Sequence, residues 1–439
     1  MSIEVRPVGV SCQLRCTYCY EEGMREVQRT HRYDREAVLS SIAKLGKDDV
    51  FSLFGGECLI LPLPDLEELL ALSFQRSKRS GLQTNGALIT DKHIELFIKY
   101  NTHVGISLDG PDELNDSRWA GTLDATRKQT AKTHWAINRL LERSAEHPHL
   151  VPSLIITLHA GNCSQDRFPR FVAWLRELDA KGIVYINLHT MELDHEADSL
   201  YLPSDELSDR LIDLWRLSPT FTNIRFTKFE EILKLLRGDD NVVCHWKPCD
   251  PWNTSAVHGI ENDGSPSHCS RTNKDGKNWL PAEGSGDSSR NAQFIGHPGA
   301  QHFERQMALY VTPQEYGGGK DCEYWLMCHG QCPGEGMNHD WRMRSSYCAA
   351  YKKLFAEGAR RLRSAGVIPL CDVTNRKEKE QEAFYAWGKN SNVTLGGLFG
   401  TASTRHGDQH GDHTDTRGAQ HGDTPHGDEH GDHTDQTQR

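Results

Sequence analysis

From residue 3 to about residue 235, short apolar runs alternate with longer stretches whose apolar residues recur at helical spacing. A strand–helix–strand series of this kind buries both faces of a sheet only if the strands run parallel and the helices lie outside it. The expected strands are 3–10, 50–54, 81–83, 103–108, 153–159 and 184–189. The expected helices are 34–45, 65–79, 91–100, 125–146 and 167–180. Six strands fall short of the eight in a closed barrel. The fold class expected is therefore α/β, a partial (β/α)6 TIM-like barrel over 1–235 whose strand-end loops hold the chemistry.

The chain beyond reads differently. Across 240–350 the apolar periodicity is weak, Gly, Pro and Asn are frequent, and seven of the thirteen cysteines fall there. Such a segment lacks the apolar surface for an ordinary core, and bound metal is expected to organise it. A long polar insertion occupies 273–320, a basic amphipathic helix is expected at 350–365, 351–401 is expected to form a C-terminal helical segment, and 376–401 is ambiguous. The net charge is −11, and 402–439 carries −5 of it from seven Asp and one Glu against three Arg. The remaining excess is acidic, so nucleic acid is not an expected partner. No apolar run of about 18 residues is present, so no membrane span is expected. The first residues carry no secretory signal. Thirteen cysteines in a large chain without such a signal point to metal binding or catalysis in a reducing compartment, and the cytoplasm is the expected location.

Three of those cysteines stand in Cys12-Gln-Leu-Arg-Cys16-Thr-Tyr-Cys19, just past the first strand. A loop this short can wrap three thiolates around one iron–sulfur cube and leave one iron open. The competing reading, a structural zinc, usually draws four ligands from paired C-x2-C units, and this spacing is not that. With this spacing the sequence resembles the radical S-adenosylmethionine (radical SAM) superfamily over roughly residues 3–235. The turn Gly55-Gly56-Glu57 after the second strand, Gln83-Thr84-Asn85-Gly86 after the third, and Ser107-Leu108-Asp109-Gly110-Pro111 with Arg118 after the fourth fall where that family has its motifs. The resemblance implies a [4Fe-4S] cluster on Cys12, Cys16 and Cys19 as the catalytic centre. It implies S-adenosylmethionine (SAM) at Gly55, Gly56 and Glu57, whose glycines let the backbone approach its methionyl amino group. It also implies Ser107 near the ribose or carboxylate and Tyr18 near the adenine. An electron from the cluster then splits SAM into methionine and a 5′-deoxyadenosyl radical, which removes hydrogen from an unactivated carbon.

The second cysteine set runs Cys249, fourteen residues, Gly264, four residues, Cys269, then Cys322, Cys328, Cys332 and Cys348. It resembles the SPASM extension of peptide- and protein-modifying radical SAM enzymes, which holds two auxiliary four-iron clusters. Residue by residue, the resemblance implies Cys249, Cys269 and Cys332 for the first of these, with Cys244 the expected fourth ligand. The second keeps Cys322, Cys328 and Cys348, because the position of its remaining cysteine is Gly319. That corner is left open, filled by Asp321 or another oxygen ligand, or the cluster is absent. One or two auxiliary [4Fe-4S] clusters are therefore expected. Cys58, Cys163 and Cys371 match no cluster pattern, and Cys58 is expected to be a small core residue rather than part of the active site.

His406-Gly-Asp-Gln-His-Gly-Asp-His-Thr-Asp415 recurs at 426–435 with nine of ten positions identical. This tail, 402–439, is expected to be disordered. Its readings are a solvated appendage, a weak divalent-metal binder, or a peptide substrate or its mimic. The expected function is maturation of a ribosomal peptide, by a crosslink or other C–H functionalisation, with a donor such as flavodoxin or ferredoxin supplying electrons. Because the chain opens directly on the first strand, peptide recognition is expected from the cysteine-rich region, 273–320, 376–401 or another protein. An alternative is oxidation of a protein Ser or Cys, as in anaerobic sulfatase maturation. A further alternative, of a different class, is a His-rich metal-binding iron–sulfur protein; it leaves Gly55-Gly56-Glu57 without a role.

Overall fold

The computed structural model describes residues 2–27, 32–47, 49–192, 199–247, 249, 256–272 and 303–401. The tail 402–439 and most of the 273–320 insertion lie outside the described residues. The six expected strands are all present: β1 Ser2–Val5, β2 Phe51–Leu53, β3 Ser80–Thr84, β4 Thr102–Ser107, β5 Ser153–Leu158 and β6 Tyr185–Thr190. They lie side by side in chain order and pair in parallel. This is the partial barrel, with helices between successive strands.

The local reasons are ordinary. Helix Leu63–Ser77 turns Leu66, Leu69, Leu70 and Ser73 inward, one stripe at helical spacing. Ser73 Oγ then donates to the carbonyl of Phe51 on β2 at 2.8 Å. Helix Leu123–Ser144 begins where the Thr122 side chain accepts from the Ala125 N–H, and buries Thr126, Thr130, Thr133, Ile137 and Leu140. The five expected helices are found within two residues of their expected ends.

Two differences bear on the site. First, β1 ends at Val5, and the apolar run to Val10 is loop. Val8 and Val10 are buried there, while Gly9 N–H bonds to the Arg6 carbonyl and Ser11 N–H to that of Val8. Second, the sheet holds three more short strands, β7 Arg225–Phe226, β8 Val257–Ile260 and β9 Pro266–Ser267. Strand β8 lies parallel to β1, with Ser2 opposite Val257 and Val5 opposite Ile260, and β9 returns antiparallel. The cysteine-rich stretch thus continues the barrel sheet. Trp246, Ile260, Phe303, Tyr324, Leu326 and Met327 join the same buried apolar cluster as the strands, so the segment does have an apolar core.

Helix Cys348–Ser364 packs back onto the barrel wall. A Cβ on Gly358 would meet Leu236 Cδ1 at 2.9 Å, Ile232 Cγ2 at 3.0 Å and the Trp215 ring at 3.2 Å, so the missing side chain lets the helices close. The ambiguous stretch 376–401 carries helices Arg376–Gly388 and Leu395–Phe399. Among the described residues no helix is long and apolar enough to cross a membrane.

Candidate active site

The loop bearing Cys12, Cys16 and Cys19 lies over the ends of the central strands. Arg15 N–H bonds to the Trp119 carbonyl at 2.6 Å and Thr17 N–H to that of Ser117 at 2.9 Å, tying the loop to the segment after β4. The three thiols are half-buried. Donors already face two of them: Leu14 N–H reaches Cys12 Sγ at 3.4 Å, Asn85 Nδ2 reaches it at 3.8 Å, and Arg25 Nη2 reaches Cys19 Sγ at 3.7 Å. Burial pushes the Cys12 thiol up to about 12, with Glu57 and Cys16 adding to the effect. Burial also raises Cys16, and Arg118 opposes it. Arg25 and Arg118 are placed to offset negative charge on these sulfurs.

The Gly55-Gly56-Glu57 turn packs against this loop. Gly56 N–H bonds to the Gly9 carbonyl and Glu57 N–H to that of Ser11, both at 2.8 Å. Gly55 has φ +110°, and a Cβ there would stand 2.4 Å from Gly9 O. A Cβ on Gly56 would stand 2.3 Å from Ser11 O. The cysteine loop itself thus demands both glycines, whatever ligand the turn also meets. The Glu57 carboxylate is wholly buried and accepts from Leu59 N–H, Thr84 Oγ1 and Asn85 N–H at 3.1, 2.7 and 2.8 Å. It braces the ends of β2 and β3. Gly56→Ala is expected to push the loop off the turn, costing about 1–3 kcal/mol or more. Iron content of the reconstituted variant checks this: about four irons should be lost while the auxiliary iron stays.

A second cluster, centred on Asp109, joins the loop to the ends of β4 and β5. Asp109 is fully buried. Its carboxylate accepts from Arg118 Nε and Nη2, each at 3.0 Å, from Thr157 N–H at 2.9 Å, and from the Tyr18 hydroxyl. His159 Nε2 stands 3.7 Å away. Burial alone would raise the Asp109 pKa, but Arg118 and His159 hold it well below the usual carboxylate range. Tyr18 is therefore anchored through its hydroxyl, with its ring 5.3 Å from that of His159 and the Arg118 guanidinium 5.7 Å above it. Ser107 is half-buried and accepts from Gln83 Nε2 at 2.9 Å.

The remaining cysteines form two groups. The Cys249 thiol is raised first by burial and then by Cys244, Cys332 and Cys269, so these four lie together. Cys328 is pushed up to about 12 by burial and then by Cys348 and Cys322, which makes the second group. Gln331 Nε2 donates to Cys328 Sγ at 3.4 Å. Asp321 is exposed and sits 3.6 Å from Lys377 Nζ. Among the described residues no three His, Cys, Asp or Glu side chains converge where a single metal ion would sit. Zinc needs such convergence, whereas the corners of a multi-iron cube stand farther apart. Cys58 and Cys163 are buried core residues, and the Cys58 thiol donates to the Gln83 carbonyl.

Between the loop bearing Cys12, Cys16 and Cys19 and the first group lies a set of residues that sequence reasoning missed. Arg271 contacts Glu192 at 3.2 Å and His189 Nδ1 at 3.1 Å, and its guanidinium lies 5.8 Å from the Tyr20 ring. Cys332 and Glu335 add to the charge around it. Glu335 in turn accepts from Thr190, Ser345 and Tyr351. These residues come from β6, the β9 flank and the C-terminal region, and no sequence spacing links them.

A family profile described as the radical SAM superfamily matches residues 7–159. The chain is 31% identical over 359 residues to a serine-type anaerobic sulfatase-maturating enzyme of Bacteroides thetaiotaomicron, spanning 75% of this chain and 82% of that protein. It is 23% identical over 389 residues to a cysteine-type anaerobic sulfatase-maturating enzyme of Clostridium perfringens, spanning 81% and 95%. The fold matches the solved structure of anSMEcpe with bound AdoMet and the Cp18Cys peptide at TM-score 0.58 and 17% identity, covering 83% of this chain and 98% of that one. The chain belongs to the radical SAM superfamily, as an enzyme of SAM and iron–sulfur chemistry with a SPASM-type auxiliary region.

Proposed function

We propose that the protein modifies a ribosomally made peptide, forming a crosslink or another functionalised C–H position. The observation that carries a polypeptide substrate is the 31% identity, over 82% of its length, to an enzyme named for maturing a sulfatase. In this reading Cys12, Cys16 and Cys19 hold the catalytic cluster. Cys244, Cys249, Cys269 and Cys332 hold one auxiliary cluster, and Cys322, Cys328 and Cys348 form a second site. The donor set fits: thiols in three groups, the first with N–H donors and the Arg25 guanidinium already facing sulfur and the Arg118 charge nearby. When bound, the catalytic cluster supplies the electron that cleaves SAM to the hydrogen-abstracting deoxyadenosyl radical.

The chain's own residues do the positioning. Asp109 fixes Tyr18 and Arg118 at the loop, Glu57 braces the turn beneath the SAM site, and Ser107 stands at the end of β4. Arg271, Glu192 and His189 lie between the catalytic and auxiliary groups, where a peptide would pass. The chain is read as a radical SAM core 1–235, an auxiliary region 240–350, a helical segment 351–401 and the repeat tail 402–439. A flavodoxin or ferredoxin is the proposed electron donor.

The second reading, oxidation of a Ser or Cys in a sulfatase, is favoured by the names of the relatives. One experiment separates the two. Reconstituted enzyme, SAM and reductant are incubated with a short peptide encoded beside this chain, and in parallel with a sulfatase peptide bearing Cys or Ser. Loss of hydrogen pairs from the first, read by mass spectrometry, is the expected result. A hydrazide-reactive aldehyde on the second alone would overturn the peptide-crosslinking reading. In the same digests the His-Gly-Asp repeat is expected to lose hydrogen too. An unchanged tail, with unchanged turnover after deletion of 402–439, makes it a solvated appendage.

A further inference from the structure

We infer that Cys322, Cys328 and Cys348 form a three-thiolate site in which Trp325 stands where a fourth thiolate would enter, so that one iron of its cluster has no protein ligand. The inference rests on the iron–sulfur reading of this group. The three cysteines line one small cavity, together with Gly318 and Gly319.

Residue 319 cannot carry a side chain in this packing. A Cβ on Gly319 would stand 2.3, 2.9 and 3.0 Å from Cε3, Cζ3 and Cδ2 of Trp325. Three atoms of one ring are met at once, so no small rotation at the end of a flexible chain relieves the clash. The ring is itself held. Trp325 is 3% exposed, and it stacks on His329 with centroids 5.5 Å apart and planes at 28°. His329 is stacked in turn on Trp246 at 3.9 Å and meets Trp387 edge-on at 5.2 Å. The turn is fixed as well, with Gly319 N–H bonded to the Leu309 carbonyl at 2.7 Å and Cys322 N–H to the Gly319 carbonyl at 3.1 Å.

Among the described residues no carboxylate or imidazole is set to take the corner. Asp321 faces Lys377 at the surface. The cavity lining contains no carboxylate and no imidazole, and its one amine, Lys352 Nζ, donates to Gln314 Oε1. Arg344 also lines the cavity, and its Nη2 bonds to the Gln314 carbonyl at 3.0 Å. Two cations and an open iron suit a small anionic ligand, such as hydroxide or a carboxylate.

A cluster with one unprotected iron is the kind that oxidation trims. A [4Fe-4S]2+ cluster gives one electron to ferricyanide and releases Fe2+, leaving [3Fe-4S]+. The full chain with Cys12, Cys16 and Cys19 changed to Ala removes the other three-thiolate site from view. After anaerobic reconstitution this variant is expected to hold about eight irons. Ferricyanide should then remove about one iron per chain and raise a three-iron electron paramagnetic resonance signal.

Adding Cys348→Ala should abolish the signal, and adding Gly319→Cys should leave it in place, because Trp325 keeps the new thiol out. Gly319→Cys with Trp325→Ala should close the site and suppress the signal. The inference is overturned by eight irons that resist oxidation, by a signal that survives Cys348→Ala, by Gly319→Cys alone removing it, or by an iron content near four. A variant holding no iron at all would instead sink the auxiliary-cluster reading under the proposed function. If either Gly319 variant fails to fold by circular dichroism, the oxidation and Cys348→Ala arms still decide the matter.

Discussion

Replacing Cys12, Cys16 and Cys19 together by Ala is expected to abolish reductive cleavage of SAM and to leave the auxiliary iron in place. The two outcomes go together because the cysteine groups are built on different elements. The first lies on the loop after β1. The others lie around β8, the turn at 317–319 and the start of helix Cys348–Ser364. Wild-type protein is expected to bind more than four irons, about twelve if both auxiliary sites fill, and the variant about four fewer. The loop keeps its backbone ties to Trp119 and Ser117, so losing the thiols need not unfold it. Chromatographic assay of 5′-deoxyadenosine and an iron determination on the same sample provide the check. Undiminished deoxyadenosine from the triple variant would remove this loop from the chemistry. Loss of all iron would show that the groups are not independent.

Asp109→Ala is the second large effect, expected to destabilise the protein by about 3–5 kcal/mol, because it strands the buried Arg118 charge without its partner. It also frees the Tyr18 hydroxyl and the Thr157 N–H at once. Asp109→Asn keeps the shape but not the charge and should cost less. The pH dependence follows from the direction of the shift. Asp109 titrates lower in the folded state than in the unfolded chain. The stability it contributes is fully present above the unfolded value, about 4. That contribution is lost as pH falls from there toward the folded value. Denaturant unfolding of both variants against wild type, between neutral pH and about pH 3, measures it. A cost below about 1 kcal/mol at neutral pH would mean that water reaches the Arg118 site and relieves the charge.

The six core strands and their helices were legible because each carries its own periodicity, and periodicity survives without knowledge of neighbours. Arg225–Phe226 and Pro266–Ser267 are two residues each, too short to show a period. Val257–Ile260 sits among Gly, Asn and Asp and is a strand only because β1 offers it a free edge. The opposite error at residues 6–10 has the same root. Buried loop valines read like strand valines, since the apolar run reports burial and not the backbone that achieves it.

The chemistry divides the same way. Spacing marked Cys12, Cys16 and Cys19, because a short loop must present its groups at short intervals, and the resemblance that this spacing raised marked the Gly55-Gly56-Glu57 turn. The resemblance of the second cysteine set likewise marked Gly319 as a departure. The Asp109–Arg118–Tyr18 anchor, the Arg271–Glu192–His189 set and the Trp325 ring over Gly319 belong to the tertiary structure. Their members are brought together from separate strands and loops, and whether a buried charge finds a partner, or a Cβ finds room, depends on packing that no local pattern encodes.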